Sequence, residues 1–114
     1  MKKLLLFFAL LFASPALAQQ VTNYGTVNGS VTIATGNTFQ TVLTANNKRR
    51  SLTIANNNAS DSCWIFIGSA AATKPTSILL LAGQGYTRYY PYIPSDAIQA
   101  TCSTTSDSLY VDTQ

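Results

Sequence analysis

The sequence predicts an all-β protein: a small antiparallel β-sandwich or barrel of about eight strands, preceded by an N-terminal signal peptide. Three observations carry this. Apolar residues alternate at period two, and no segment repeats them at helical spacing over three turns. Turn residues interrupt the runs at intervals of roughly eight to twelve positions. The composition is rich in Thr, Ser, Asn and Ala and low in charge, which suits pleated, half-buried surfaces. Strands of this kind must curl into a sandwich or barrel to bury one face of each.

Residues 1–18, "MKKLLLFFALLFASPALA", read as a signal peptide. Lys2 and Lys3 precede an apolar run from Leu4 to Phe12, and Ala16-Leu17-Ala18 is a small-x-small cleavage pattern. The run is short for a bilayer span. An uncut N-terminal anchor is the alternative. Cleavage after Ala18 leaves a chain starting at Gln19, with five Lys and Arg against four Asp. So little net charge argues against a nucleic-acid partner, and no membrane contact is expected after cleavage. Lys48-Arg49-Arg50 is the one basic cluster, read as a solvated turn.

Residues 19–35 are thin in large apolar side chains and read as an N-terminal hairpin or arm. Asn28-Gly29, a preferred type I′ pair, is its expected turn. The β-sandwich domain is expected over 36–114. Gly36-Asn37 turns into "TFQTVLTA", with Phe39 and Leu43 chosen for the core. "NNKRR" leads to "SLTIANN", where Leu52 and Ile54 point inward. "NNASDS" leads to "CWIFIGS". Pro75 makes "AAATKPTS" a loop. "ILLLA" follows, with at least two buried leucines, then Gly83-Gln84-Gly85 as a hairpin turn, then "YTRYY". "PYIPSD" is a rigid connection, and "AIQATCS" and "LYVDT" close the chain.

Parity orients the strands. Gln99 and Thr101 are expected to face water, so Ile98, Ala100 and Cys102 face inward. Export favours a disulfide between Cys63 and Cys102, with two reduced, buried thiols as the alternative. The enclosed loop of about 40 residues is worth roughly 4 kcal/mol in chain entropy. The disulfide turns Cys63, Ile65 and Ile67 inward and Trp64 and Phe66 outward. With Tyr110 and Tyr89, these two would form an aromatic face on one sheet, unless the N-terminal hairpin or a loop covers them. Tyr86, Arg88, Tyr89, Tyr90 and Tyr92 form a second cluster. It suits either partner binding or packing at the core rim.

No reaction is legible. The chain has no His, which removes the usual triads and the commonest metal ligand. Asp61, Asp96, Asp107 and Asp112 are scattered over loops and the terminus, with no pairing expected. No catalytic residue, metal site or cofactor is therefore expected. Asn28-Gly29-Ser30 and Asn58-Ala59-Ser60 fit the N-glycosylation pattern, relevant only in a eukaryotic host.

Lys48 to Asp112 carries "RRSLTIANN", "CWIFIG", "ILLLAGQGYT" and "SDAIQATC…DSLYV". In these features the chain resembles small β-sandwich accessory proteins of tailed bacteriophage virions. The resemblance implies a structural or decoration role through surface contacts. The expected function is thus an exported, non-enzymatic structural or accessory protein, secreted or periplasmic, or in the virion if phage-encoded. Its expected partner is a protein or a second copy, held through Trp64, Phe66, Tyr86, Arg88, Tyr89, Tyr90 and Tyr92. The alternatives are a secreted carbohydrate-binding module using the same aromatics on a glycan, and a small secreted hydrolase inhibitor using the Lys74-Pro75 loop as a rigid basic tip.

Overall fold

A computed structural model describes residues 27–114; the signal peptide, its cleavage site and residues 19–26 lie outside the described residues. Eight strands form: β1 (Val27–Thr32), β2 (Gln40–Leu43), β3 (Ser51–Asn56), β4 (Cys63–Ile67), β5 (Ile78–Leu80), β6 (Gly85–Tyr89), β7 (Ile98–Cys102) and β8 (Ser108–Thr113). The helical content among the described residues is one 3-10 turn at Lys74–Thr76. Two antiparallel sheets, ordered β1-β8-β3-β6 and β2-β7-β4-β5, pack as a sandwich.

Only β4 and β5 are both consecutive in sequence and paired; every other connection crosses between the sheets. Two expected hairpins are corrected by this. Asn28-Gly29 is no turn: β1 runs straight through it, paired with β8 from Val27↔Thr113 to Thr32↔Ser108. A type I′ turn needs two flanking strands that pair with each other, and here β8 offers its whole edge instead. Gly83 and its neighbours form an arch, because β5 pairs with β4 and β6 with β3.

The core is drawn from alternate positions of both sheets: Leu52 and Ile54 from β3, Cys63 and Ile65 from β4, Ile98, Ala100 and Cys102 from β7, Leu109 and Val111 from β8. Period-two burial on β3 and β8 is unbroken. Ile33, just past β1, is fully buried, so the end of the expected N-terminal arm belongs to the core. Leu43 is buried as expected, whereas Phe39 is only half-buried. Of the leucines in "ILLLA", Leu80 alone is buried, since β5 is a sheet edge with one covered face.

Cys63 and Cys102 are direct cross-strand partners on β4 and β7, joined by a disulfide with an S–S distance of 2.02 Å. Both are fully buried. Asn56 is the buried polar link between the sheets. Its amide donates to the Asp61 and Leu80 carbonyls at 2.7 and 2.9 Å, and its Oδ1 accepts from Asn58 Nδ2 and N. All its hydrogen-bonding capacity is used, which offsets the cost of burying it. Asn58 Nδ2 also donates to Ser108 O, so the amide of the second glycosylation pattern is engaged in the fold.

Gly36 marks a close approach. A Cβ there would stand 2.8 Å from Thr105 N and 2.9 Å from Thr104 C, both main chain. Only glycine lets the β1–β2 loop lie against the β7–β8 loop.

Candidate functional site

The predicted binding residues fall into two separate places. Trp64 and Phe66 stand on the outer face of the β4-containing sheet, while Tyr89 and Tyr110 stand on the outer face of the other sheet. The single aromatic face expected from the sequence is therefore corrected: parity sets which side of a strand a residue occupies, but not which sheet the strand joins.

Residues 68–77, between β4 and β5, form a strap over the Trp64 face. Gln99, on the outer side of β7, donates to the Gly68 and Ala70 carbonyls at 2.9 and 2.8 Å and holds the start of the strap down. A Cβ on Gly68 would lie 3.2 Å from the Phe66 ring, so the ring rests against the strap's first residue. Further along, Lys74 Nζ sits 3.9 Å from the Trp64 ring centroid and donates to Asn37 Oδ1. Asn37 is itself anchored through Nδ2 to Ser103 O and through N to Cys102 O. Trp64 and Phe66 are half-buried as a result, and Thr101, opposite Trp64 in register, is fully buried where water contact was expected. Lys74 is committed to this ring contact, so the strap has no free basic tip.

The second place is a turn at the end of β6. The Tyr90–Pro91 peptide is cis, Tyr92 N donates to Tyr89 O at 2.9 Å, and Tyr90 N donates to Arg50 O at 3.1 Å. A cis-proline at the third position is the type VI turn arrangement. Its side chains project outward: Tyr89, Tyr90 and Tyr92 are 68, 71 and 82% exposed. Tyr86 behaves differently, packing on the core with Arg88 4.6 Å above its ring. The cluster thus divides, Tyr86 taking the core-rim role and the other three facing solvent.

Two residue sets escaped the sequence reading. The first is the basic loop. Arg49 is 7% exposed rather than solvated. Its guanidinium donates to the carbonyls of Pro94, Asp96 and Thr44, tying the β2–β3 loop to the β6–β7 connection. Burial pushes its pKa down. Arg50 lies 5.9 Å from the Tyr90 ring centroid. Asn47, Lys48, Arg49, Arg50 and Tyr90 line a cavity of about 180 Å³. Three consecutive cations in a nearly uncharged domain were the available signal. The second set is Ile78, Leu79 and Leu81, 39 to 48% exposed on and just after the edge strand β5.

Asp61 and Asp107, expected to lie apart, come together. Burial first, then the Asp61 charge and a side-chain hydrogen bond to Asp61, push the Asp107 pKa up, against a backbone hydrogen bond at Thr104. Among the described residues no three His, Cys, Asp or Glu side chains group as a metal site, and no helix is long and apolar enough to cross a membrane.

No known protein-family model, curated protein sequence or solved structure matches the chain.

Proposed function

We propose that the protein is an exported, non-enzymatic β-sandwich that acts by surface contact, as a structural or accessory subunit. One observation carries the reading. Every large hydrophobic residue exposed on the described surface (Ile78, Leu79, Leu81, Tyr89, Tyr90, Tyr92) belongs to the stretch from Ile78 to Tyr92. That stretch supplies β5 and β6, the edge strands that share one flank of the sandwich. Unpaired strand edges bordered by apolar and tyrosine side chains favour docking of another protein surface. The opposite flank, β1 and β2, offers Asn28, Ser30, Thr32 and Thr41 instead.

Export is supported by the Lys2-Lys3 start, the apolar run and the Ala16-Leu17-Ala18 pattern, together with the disulfide. A virion accessory subunit is the particular form that the sequence resemblance implies.

The test is expression of the full chain with its own leader. Mass spectrometry of exported material is expected to give a chain starting at Gln19. Sedimentation is expected to show a multimer or co-migration with particles, lost when Tyr89, Tyr90 and Tyr92 are all changed to Ser. A strict monomer that accompanies no particle overturns the reading, as does an assembly indifferent to the triple change.

A further inference from the structure

We propose that the cavity formed by Asn47, Lys48, Arg49, Arg50 and Tyr90 binds one residue of an anionic saccharide, a carboxylate- or sulfate-bearing sugar. This is a site beyond the protein-contact flank; its cavity shares Tyr90 with that flank, and Tyr89 and Tyr92 border both.

Arg49 is 7% exposed, and its guanidinium is an expensive group to bury. Its three acceptors are main-chain carbonyls, which satisfy donors but bring no net negative charge. The positive charge therefore persists in a residue that lines the cavity, desolvated and held by three hydrogen bonds. Such a preorganised cation loses little on meeting an anion. Arg50 adds a second arginine to the lining, its guanidinium 5.9 Å from the Tyr90 ring centroid, and guanidinium forks match carboxylate and sulfate oxygens.

The remaining walls suit a sugar rather than a bare ion. Tyr90 is 71% exposed, its backbone bonded to Arg50 O and its ring beside the Arg50 side chain. An exposed, anchored aromatic ring offers a flat apolar surface with little entropy to lose, which suits the C–H face of a sugar. Asn47 supplies an amide that both donates and accepts, as hydroxyls require. A cavity of about 150 Å³ holds a six-membered carbon ring. The 180 Å³ here is on the scale of one ring, and a longer glycan would extend out of it. Tyr89 and Tyr92, on the same turn, extend the surface on which neighbouring sugar units would lie.

The experiment titrates a galacturonic acid trimer into the exported protein, by calorimetry and by amide chemical shifts. Binding is expected, with shifts concentrated in residues 47–51 and 89–92, and an affinity that falls as salt rises. Arg50→Gln is expected to weaken it by about ten-fold or more, the loss of one charge-assisted contact. Because the Arg50 side chain is exposed, this variant keeps the fold, whereas Arg49 variants release two loops. A neutral galactose trimer is expected not to bind, and inorganic phosphate to bind far more weakly than the acidic trimer. The proposal is overturned if the acidic trimer does not bind, if Arg50→Gln leaves its affinity unchanged, if the neutral trimer binds equally, or if phosphate matches the acidic trimer, which would mark an ion site only. Sedimentation of the same samples reads the protein-contact flank separately, so either reading can fail alone.

Discussion

Trp64-Ile65-Phe66 and Tyr89-Tyr90-Pro91-Tyr92 are alike in aromatic density, and both project from strands or strand ends of one small sandwich. The first is roofed by residues 68–77, with Lys74 over the indole and Gln99 holding two carbonyls of the strap. The second has no described residue folded over it and keeps three tyrosines more than two-thirds exposed. The difference lies in the connections. Ten residues, 68–77, lie between Ile67 and Ile78, room for a loop to cross the outer face before β5 begins. The turn at Pro91 leads directly into a connection pinned from below by Arg49, so the tyrosines stay on its outside. Aromatic content marks both regions as special, and only the path of a neighbouring loop separates a covered surface from an available one.

The contrast is broken most severely at the disulfide, which joins the two strands under the strap. Cys63→Ala with Cys102→Ala is expected to lower stability by about 4 kcal/mol, from the loop of 39 residues it closes. Urea denaturation measures this, and Trp64 emission in the surviving native fraction is expected to change more than the reactivity of Tyr92. On the other side, Arg49→Met is expected to cost about 2 kcal/mol, because three carbonyl acceptors lose their donor in a part-buried setting. Amide exchange is expected to quicken at 44–50 and 90–96 and to leave the strap unaffected.

A finer test removes the roof alone. Lys74→Ala is expected to cost about 1 kcal/mol, shift Trp64 emission to the red and raise its quenching by acrylamide, as the cation over the ring is lost. Unchanged emission and quenching would mean that the strap does not shield the indole. The tyrosines supply the reverse case: Tyr89→Ser, Tyr90→Ser or Tyr92→Ser alone is expected to change stability by no more than about 0.5 kcal/mol. Nitration of the native protein is expected to reach these three before Tyr86 or Tyr110.

The smallest effect lies at the Asp61–Asp107 pair. Asp107 holds its proton more tightly folded than unfolded. Its contribution is therefore greatest in acid, is lost as pH rises from the ordinary aspartate range through the raised value, and is level above that. Asp107→Asn is expected to flatten the part of the stability profile that begins in the ordinary aspartate range, about pH 4, and runs upward from there, read from denaturation midpoints.

Much of the sandwich was legible from residues alone. Alternation in "SLTIAN" and "LYVDT" identified strands and their inward faces, and the polar Gln99 helped orient the cysteine pair that the structure joins. Thr101 was read wrongly from the same pattern, because a polar side chain does not reveal that a tryptophan on the next strand and a returning loop will cover it. Arg49 was misread for a related reason: sequence shows a charge, but not the carbonyls waiting from residues 94 and 96.

By itself the sequence determined the class of fold, the inward face of most strands and the two sulfurs that meet. Those properties follow from periods of two and from compartment chemistry, which act over a few residues or on the chain as a whole. Tertiary structure decided which strands pair, that Asn28-Gly29 lies within a strand, that residues 68–77 roof Trp64, and that Arg49 is buried against main-chain carbonyls and lines a cavity with Tyr90. Each of these depends on contact between segments dozens of residues apart, and the energy of such contacts leaves no period in the chain.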